Sequence, residues 1–428
     1  MAFGAAMSIF MPLQFLQSLS PVQTAALVLC SPMIGFVVLV ASLILLIHVI
    51  ALKNAYPNDL PYRMLDLLRL LFKLKLKARM VQRVSSPPWS LNAEWRSRVD
   101  STPDRPFLTL ADSVGGGSSS YRDVDVASNA VAWAARTGMT LTSGSVVAIL
   151  MPSRVEYVQL WLGFSKVGVT SALINTNLSN KPLIHAVSTA LDKNKSGQKF
   201  LIVSEVLAAN VTGNVAVMKA LAEGGVEVLV YHHDTLRKDA ANFVPKRGSF
   251  DYLLAAAAVL SAAAPEPEKG STQKWSSDLF YIYTSGTTGF PKASRINHLR
   301  FFSAGAMLHT LGRVTSSDII YCALPLYHSA GGMVGVSCCI NSGASMVIRD
   351  KFSVSKLAED IVMNKCTVLQ YIGEFARFAL SAGSKTGGGV LDKKCGEVSV
   401  MMMTTTTTTT TTTMTMTMKM NVCCLVYC

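Results

Sequence analysis

A short segment rich in hydroxyl groups and glycine carries the clearest chemical signal in the sequence. It spans Thr284–Lys292, with the sequence TSGTTGFPK, and follows the apolar run Leu279–Tyr283, which is typical of a buried strand. Two glycines permit a tight loop whose backbone N–H groups converge on a phosphate. Four hydroxyl side chains add donors, and Lys292 supplies a fixed positive charge. The segment therefore predicts a loop that binds a polyphosphate.

Two other interpretations of this segment are weaker. A Walker A loop has four residues between its glycines and a Ser or Thr after its lysine. Here two residues separate the glycines, and Ala293 follows Lys292. A polar hairpin loop requires neither this density of Ser, Thr and Gly nor a terminal Pro-Lys. We therefore favour the phosphate loop.

The sequence around this loop has an α/β pattern. From about Asp104 to Leu380, apolar runs suited to buried strands alternate with helical stretches. Ser143–Ser165 predicts a strand, a turn at Pro152 and then an amphipathic helix. Ala255–Lys269 is rich in Ala and predicts a surface connection. The clearest further strands are Ser145–Met151, Lys199–Ser204 and Glu227–Tyr231.

The N-terminal region predicts a membrane anchor. No charged residue precedes Lys53, and Met33–Leu52 is an apolar stretch of 20 residues. As a helix it would span about 30 Å, the thickness of the hydrocarbon core. A cleaved signal peptide is the alternative, but the stretch has no basic segment before it and exceeds the usual apolar length. We therefore predict a single transmembrane helix at residues 33–52.

A basic segment follows the predicted anchor. Ten basic and three acidic residues lie between Lys53 and Arg98. This excess places the following chain in the cytosol by the positive-inside rule. Arg63–Val84 predicts an amphipathic helix that lies on the membrane. A plain core helix remains open, as does a strand, because Phe72–Arg79 alternates with a period of two.

The charge and the cysteines exclude several other classes of protein. The net charge is +13, but the basic excess lies beside the predicted anchor and no nucleic-acid-binding motif accompanies it. We therefore predict no nucleic-acid partner. The nine cysteines are odd in number and lack CxxC spacing, and the seven histidines form no ligand-like cluster. Neither a disulfide framework nor a protein-bound metal site is indicated.

Longer motifs make a family resemblance visible. YIYTSGTTGFPK at Tyr281–Lys292 matches the AMP-binding signature of the adenylate-forming superfamily. Further motifs resemble the fatty acid transport protein and very-long-chain acyl-CoA synthetase group, and the resemblance covers about residues 50–380. These motifs are LPYRMLDLLRLL (Leu60–Leu71), VEYVQLWLGFSKVG (Val155–Gly168), LINTNL (Leu173–Leu178), PLYHSAGG (Pro325–Gly332), IRDKFSVSK (Ile348–Lys356) and CTVLQYIGE (Cys366–Glu374). The resemblance implies an α/β fold: an N-terminal anchor helix and most of the large N-terminal domain of an adenylate-forming enzyme.

The resemblance also implies a two-step ligase reaction. A fatty acid carboxylate attacks the α-phosphate of ATP, giving acyl-AMP and pyrophosphate, and the thiol of coenzyme A then displaces AMP. Thr284–Gly289 would hold the β- and γ-phosphates, Lys292 would help to neutralise pyrophosphate, and Mg²⁺ would bridge phosphate oxygens. The implied ATP- and AMP-binding residues are Tyr281, Ile282, Tyr283, Thr284, Ser285, Gly286, Thr287, Thr288, Gly289, Phe290, Pro291 and Lys292.

The resemblance assigns further residues to the acyl group. Tyr327 and His328 match the position where a ring lines the carboxylate end of the acyl group, although a lone histidine is more often structural. Gln370, Tyr371 and Gly373 are expected to line the acyl pocket, with simple core packing as the alternative. No catalytic residue is assigned, because the lysine of the family's C-terminal lid has no match.

The resemblance stops near Leu380. The later superfamily motifs, which are Tyr-Gly-x-Thr-Glu, Thr-Gly-Asp, the hinge and the lid lysine, have no match. The sequence instead contains an unbroken threonine run at Thr404–Thr413. We expect a disordered, low-complexity tail at residues 381–428 and a truncated or mis-spliced product, with a genuine lineage-specific tail as the alternative. The predicted organisation is an anchor segment at 1–52, a basic segment at 53–99, an incomplete AMP-binding domain at 100–380 and this tail.

Two functions remain open at this point. One is a long-chain fatty acid–CoA ligase coupled to fatty acid uptake and impaired by the truncation. The other is a membrane-anchored protein that binds nucleotide or acyl chain without turnover. Both predict fatty acid and membrane as partners, at the endoplasmic reticulum or plasma membrane, with the AMP-binding region in the cytosol. The acyl chain length and a homo-oligomeric state are left open.

Overall fold

A computed structural model of the protein describes most of the chain beyond residue 89. The described residues are 90–111, 117–193, 197–232, 249–258, 260, 273–284, 290–372, 399–408 and 411–421. All of them belong to one compact unit, Met80–Cys428. The predicted anchor at 33–52 and the amphipathic segment at 63–84 lie outside the described residues. Within the described ranges, no helix has both the length and the apolar character needed to cross a membrane.

Helices and strands alternate through the described chain, as the sequence predicts. The helices are α1 (Leu91–Ser101), α2 (Tyr121–Trp133), α3 (Val155–Lys166), α4 (Asn180–Leu191), α5 (Glu205–Thr212), α6 (Val215–Glu223), α7 (Phe250–Ala258), α8 (His298–Leu311), α9 (Val336–Ser342) and α10 (Leu357–Met363). The strands are β1 (Pro106–Leu110), β2 (Gly117–Ser120), β3 (Val146–Leu150), β4 (Thr170–Leu173), β5 (Lys199–Ser204), β6 (Val226–Tyr231), β7 (Asp278–Thr284), β8 (Lys292–Asn297), β9 (Ile319–Cys322), β10 (Ser345–Ile348), β11 (Val368–Ile372), β12 (Ser399–Thr408) and β13 (Thr411–Asn421). Short π-helical segments follow α2 and precede α9.

The strands form two mixed sheets. The first has the order β6-β5-β3-β4-β7-β8 and is parallel except for β8, which pairs antiparallel with β7. The second has the order β13-β12-β11-β9-β10-β1-β2, with a parallel centre and antiparallel strands at both edges. The predicted α/β fold is therefore confirmed.

Helix α3 lies between the two sheets. It contacts β4 of the first sheet and β1 of the second. All twelve of its residues are buried, and the Trp161 ring meets the Phe280 ring edge-on at 4.8 Å. The sequence predicts an amphipathic helix here, with one face in contact with solvent. That prediction is wrong, because protein covers every face of the helix. Its Glu156, Gln159 and Lys166 gave it an amphipathic appearance, yet all three are buried.

A buried polar network joins the first three helices. Lys166 Nζ donates to Asp125 Oδ1 at 2.7 Å, Ser128 Oγ at 2.6 Å and Asn129 Oδ1 at 2.6 Å. Trp95 Nε1 donates to the same oxygen of Asp125. These bonds satisfy a charge that would otherwise be very costly to bury. Helix α1 is thus part of the folded domain. The predicted start of the AMP-binding domain, residue 100, lies inside this helix.

Two further segments differ from their predicted structure. The chain forms strands β12 and β13 within the predicted disordered tail, and β12 pairs parallel with β11. Threonine is β-branched and favours strands, and β11 offers an edge on which they pair. The predicted surface connection at Ala255–Lys269 begins as the last turn of α7, because alanine favours a helix. Residues 261–272 lie outside the described residues.

Candidate active site

Loops from the two sheets meet at the carboxyl ends of their strands. After β3, Ser153 Oγ accepts a hydrogen bond from the backbone N–H of Leu326, which follows β9. Arg154 Nη1 donates to Asp350 Oδ2, beyond β10, at 3.4 Å. In open α/β sheets this edge is where ligands bind.

The two ends of the predicted phosphate loop, Thr284 and Lys292, lie at this same edge. Thr284 ends β7 and pairs with Lys292, the first residue of β8, so the loop closes an antiparallel hairpin. The strands β7 and β8 thus form a hairpin, and phosphate binding by the segment that connects them stays a prediction. Residues 285–289, which are Ser285, Gly286, Thr287, Thr288 and Gly289, lie outside the described residues. Lys292 itself is exposed at the base of the hairpin.

Three signature residues on β7 have partners inside the fold. The Tyr283 hydroxyl donates to the carbonyl of Ala186 in α4 at 2.6 Å. The Tyr281 hydroxyl donates to Asp278, and Ile282 packs in the main core. Their predicted role in nucleotide binding remains a prediction. The structure shows that Tyr283 joins β7 to α4, whereas the bond from Tyr281 to Asp278 lies within β7 itself.

Phe290, at the far side of the hairpin, lies beside α4. The exposed ring of Phe290 has its centroid 4.8 Å from the ring of His185 in α4. Pro291 is partly buried between Phe290 and the first residue of β8. Helix α4 therefore supports both strands of the hairpin.

Tyr327 joins the second sheet to the first. It follows β9, and its side chain shares a hydrogen bond with Thr176, in the connection between β4 and α4. Burial raises the pKa of the Tyr327 hydroxyl, so the phenol stays protonated at neutral pH. The ring predicted to line the acyl carboxylate thus lies at the carboxyl edge of both sheets.

His328 begins the π-helical segment Ser329–Gly335. Its Nδ1 accepts a hydrogen bond from the backbone N–H of Ala330 at 3.4 Å. Desolvation lowers the pKa of His328 below its ordinary value. A neutral ring that accepts at Nδ1 carries its proton on Nε2. His328 can therefore donate one hydrogen bond from Nε2 to a carboxylate or phosphate oxygen.

Two glycines allow the chain after His328 to fold back on itself. A Cβ at Gly331 would lie 2.6 Å from the carbonyl oxygen of Pro325, and a Cβ at Gly332 would overlap the carbonyl oxygen of Leu326. Both neighbours are backbone and cannot move independently. The GG of PLYHSAGG is therefore required for the turn that places Tyr327 and His328.

The residues predicted for the acyl pocket lie on β11 behind this turn. Gln370 is fully buried, and its Nε2 donates to the carbonyl of Ala330 at 2.6 Å. A Cβ at Gly335 would lie 2.6 Å from Gln370 Oε1. Gln370 thus anchors the segment after His328, and Tyr371 is buried beside it. Gly373 lies outside the described residues.

The residues present fit a nucleotide that brings its own metal ion. Lys292 offers a flexible ammonium group at the base of the loop, which suits a polyphosphate. In the part of the chain that the structure describes, no group of three His, Cys, Asp or Glu side chains could hold a metal ion. Mg²⁺ commonly binds through substrate phosphates with few protein ligands. A nucleotide–Mg²⁺ complex is therefore compatible with this site, with phosphate oxygens as the main ligands.

Four residues of the site were not singled out by the sequence analysis. These are Ser153, Arg154, Thr176 and Asp350. Three of them fall within or directly beside the quoted motifs LINTNL, IRDKFSVSK and VEYVQLWLGFSKVG. A rule that examines polar residues just beyond each predicted strand would have found Ser153 and Arg154, which follow the predicted strand Ser145–Met151. Thr176 and Asp350 follow β4 and β10, which the sequence analysis did not identify.

Comparison with known proteins decides the family. The sequence profile of the AMP-binding enzymes matches residues 95–420, which is more than half of the chain. The chain belongs to the AMP-binding enzyme family. The resemblance to fatty acid transport proteins is also confirmed: long-chain fatty acid transport protein 1 of Bos taurus is 37% identical over 313 residues. That match covers 73% of this chain and 45% of the bovine protein, so the chain spans less than half of this relative.

Solved structures of AMP-binding enzymes share the fold. A long-chain-fatty-acid-CoA ligase from Archaeoglobus fulgidus has a TM-score of 0.56 and 19% sequence identity, over 70% of this chain and 55% of that one. The N-terminal domain of FACL13 from Mycobacterium tuberculosis, crystallised with an inhibitor, has a TM-score of 0.53 and 21% identity, over 68% of this chain and 64% of that one. The two sheets described above therefore match the N-terminal domain of adenylate-forming enzymes.

Proposed function

We propose that this AMP-binding enzyme activates long- or very-long-chain fatty acids to their CoA esters through an acyl-adenylate. One observation carries the proposal. The base of the signature loop, at Thr284 and Lys292, lies at the same edge of the sheets as Tyr327 and His328. On this proposal, the loop that binds the polyphosphate and the ring that binds the carboxylate belong to one site. The similarity to long-chain fatty acid transport proteins supports a fatty acid as the acyl substrate.

The residues of the site have separate tasks in this reaction. The carboxylate of the fatty acid attacks the α-phosphate of ATP, the bond to pyrophosphate breaks, and the thiol of coenzyme A later displaces AMP. Lys292 stabilises the negative charge on the leaving pyrophosphate. His328, neutral and protonated on Nε2, holds the acyl carboxylate without forming an ion pair that would weaken its nucleophilicity. Tyr327 fixes the position of the turn that carries His328, through its hydrogen bond with Thr176.

The first test is nucleotide binding by charge variants. Lys292→Ala should weaken binding of an ATP–Mg²⁺ analogue, because it removes a charge-assisted contact to phosphate. Such a contact contributes about 1.5–3 kcal/mol, or roughly 10- to 150-fold in affinity. Calorimetry on the purified 428-residue protein measures this directly.

The control is Lys219→Ala. Lys219 lies exposed on α6 and pairs with Glu223 at 4.0 Å. Helix α6 packs on β6, the strand of the first sheet farthest from β7. Lys351 is a poorer control, since it follows Asp350 at the edge that forms the site. Equal affinities for the Lys292→Ala and Lys219→Ala proteins would refute the assignment of the loop.

A second function is nucleotide or acyl binding without turnover. The inhibitor-bound N-terminal domain of FACL13 is a related fold that holds a ligand as an isolated domain. Oleate, ATP, Mg²⁺ and coenzyme A given to the reconstituted protein separate the two proposals. Formation of oleoyl-CoA supports the ligase. Binding of the ATP–Mg²⁺ analogue without formation of oleoyl-CoA supports the second function.

The cellular setting is part of the same proposal. A single span at residues 33–52 would anchor the protein in the endoplasmic reticulum or plasma membrane, with the AMP-binding domain in the cytosol. Conversion of a fatty acid to its CoA ester on the cytosolic side would trap it there and so drive uptake. The basic residues after the anchor support this orientation.

A further inference from the structure

Strand β13 forms one edge of the second sheet, and its outer side pairs with no strand in the described ranges. With eleven residues, Thr411–Asn421, it is the longest strand that the structure describes. Its inner side forms an antiparallel ladder with β12, in which Thr411 lies opposite Thr408. An unpaired edge presents a row of backbone N–H and C=O groups to another strand. Strand β13 therefore offers a long template for strand addition.

The other edge strands of the two described sheets are shorter than β13. Strand β2 has four residues, and β6 and β8 have six each. Glu227 lies on β6, and Lys292 and Arg295 lie on β8. Short length and charged residues are the usual means by which proteins keep sheet edges from pairing. Strand β13 lacks this protection, because its eleven residues include one charged residue, Lys419, and no proline.

The composition and length of β13 suit pairing with a further extended strand. Threonine and methionine alternate from Thr413 to Met418, and threonine is β-branched and favours strands. In an antiparallel ladder, two strands of this length form about ten backbone hydrogen bonds, which is the number in a typical protein interface. Pairing over the whole strand therefore supplies the hydrogen bonds that a specific interface needs.

A second copy of the same strand is the partner that fits this edge. Two copies related by a twofold axis pair antiparallel, and at full overlap Met416 lies on the axis and Lys419 lies opposite Thr413. The two lysine positions are then about 20 Å apart along the ladder, well beyond the Debye length of about 8 Å at physiological ionic strength. A parallel stack in register would instead place them on adjacent strands, about 5 Å apart. The charge therefore favours the antiparallel pair.

We propose that two copies of this chain associate through their β13 strands and so join their second sheets into one continuous sheet. Each copy contributes seven strands. The joined sheet then ends at both sides in β2, a strand of four residues, so the assembly stops at two copies. The interface lies at the lateral edge of the sheet, and the proposal does not depend on the ligase reaction.

The test is sedimentation velocity of the full 428-residue protein in mild detergent. The protein mass in the particle should be twice the 46.0 kDa of one chain. Thr415→Lys/Thr417→Lys should weaken association about tenfold or more, because positions 415 and 417 of the two copies lie opposite each other and like charges there repel. Thr415→Glu/Thr417→Glu should weaken it to a similar extent. An equimolar mixture of these two double variants should form dimers again, which misfolded proteins would not do.

Ser118→Lys is the control, since it places a lysine on β2 at the opposite edge of the same sheet. This variant should associate as the unmodified protein does. The proposal is overturned if the unmodified protein is monomeric at the highest concentration tested or grows into open-ended assemblies. It is also overturned if the lysine double variant associates as tightly, if mixing the two double variants restores no dimer, or if Ser118→Lys abolishes the dimer.

Discussion

At the scale of single residues, burial lowers the pKa of two basic side chains but leaves them in different charge states. Lys166 is surrounded by Asp125, Ser128 and Asn129, all within 2.7 Å of its Nζ. Burial lowers the pKa of Lys166 to about 8, and Asp125 opposes this effect, so the ammonium stays charged at neutral pH. At His298, burial lowers the pKa more than the charge of Asp278 raises it, so the ring is neutral. Partners therefore decide whether a buried base keeps its charge.

His298 predicts a measurable dependence of stability on pH. Its pKa is lowered to about 4 in the folded protein, whereas an unfolded histidine titrates near 6.5. Above pH 6.5 both states are neutral and the histidine has no effect. Below it the unfolded state binds the proton first, so stability falls as the pH drops from 6.5 towards 4. The expected loss reaches about 3 kcal/mol.

Urea unfolding of the unmodified protein and of His298→Gln between pH 4 and 7.5, without phosphate, measures this effect. The difference in unfolding free energy between the two proteins isolates His298 from the carboxylates that titrate in the same range. The unmodified protein should lose stability relative to the variant as the pH falls. Parallel curves would show that His298 is protonated equally easily in both states.

At the scale of elements, the connection from β9 to α9 positions the residues that we propose bind the acyl carboxylate. It carries Tyr327 and His328, and it is held by Ser153 on one side and by Gln370 on the other. The glycines at 331 and 332 let it pack directly on its own backbone. A small change in this connection should therefore affect both folding and acyl binding.

Gly332→Ala should be clearly destabilising. The added Cβ overlaps the carbonyl oxygen of Leu326, and overpacking against backbone typically costs about 1–3 kcal/mol. Gly224→Ala is the matched control, since a Cβ at the end of α6 would meet only ordinary contacts at 3.4 Å or more. Denaturant unfolding of both variants measures the difference. Similar midpoints for the two would show that the connection has more freedom than this packing allows.

The periodicity of apolar residues in the sequence identifies some elements by itself. The strand Lys199–Ser204 has the bounds that the sequence predicts, because a strand buried on both faces gives a continuous apolar run. The helix after Pro152 was placed correctly, but its burial between two sheets was not evident. Periodicity identifies the element, whereas the packing of the two sheets decides which residues surround it.

At the scale of the whole molecule, the proposed topology can be tested with glycosylation sequons. Asn177 and Asn210 each begin an Asn-x-Ser/Thr sequence, and both are exposed. If the AMP-binding domain is cytosolic, neither asparagine should be glycosylated in microsomes. A sequon added at residue 1 should be modified, because the N-terminus would lie on the other side of the membrane.

Two assays check this prediction. Treatment with an endoglycosidase should change the gel mobility only of the protein with the added N-terminal sequon. A tag placed after Cys428 should be digested by protease in sealed microsomes. Glycosylation at Asn177, or protection of the C-terminal tag, would show that the orientation is reversed.

The sequence by itself determined the α/β class, the strand that carries the signature loop and the membership in the AMP-binding family. It could do so because a buried strand, a Gly/Ser/Thr-rich turn and a terminal lysine are local features that need no partners to be recognised. The tertiary structure decided which residues meet. Arg154 and Asp350 are 196 positions apart and form an ion pair only because two sheets end at one edge. His298 and Lys193 likewise share a cleft because β7 and β8 bring distant segments together, and burial, which sets the protonation of His298, is a property of that packing rather than of the sequence around it.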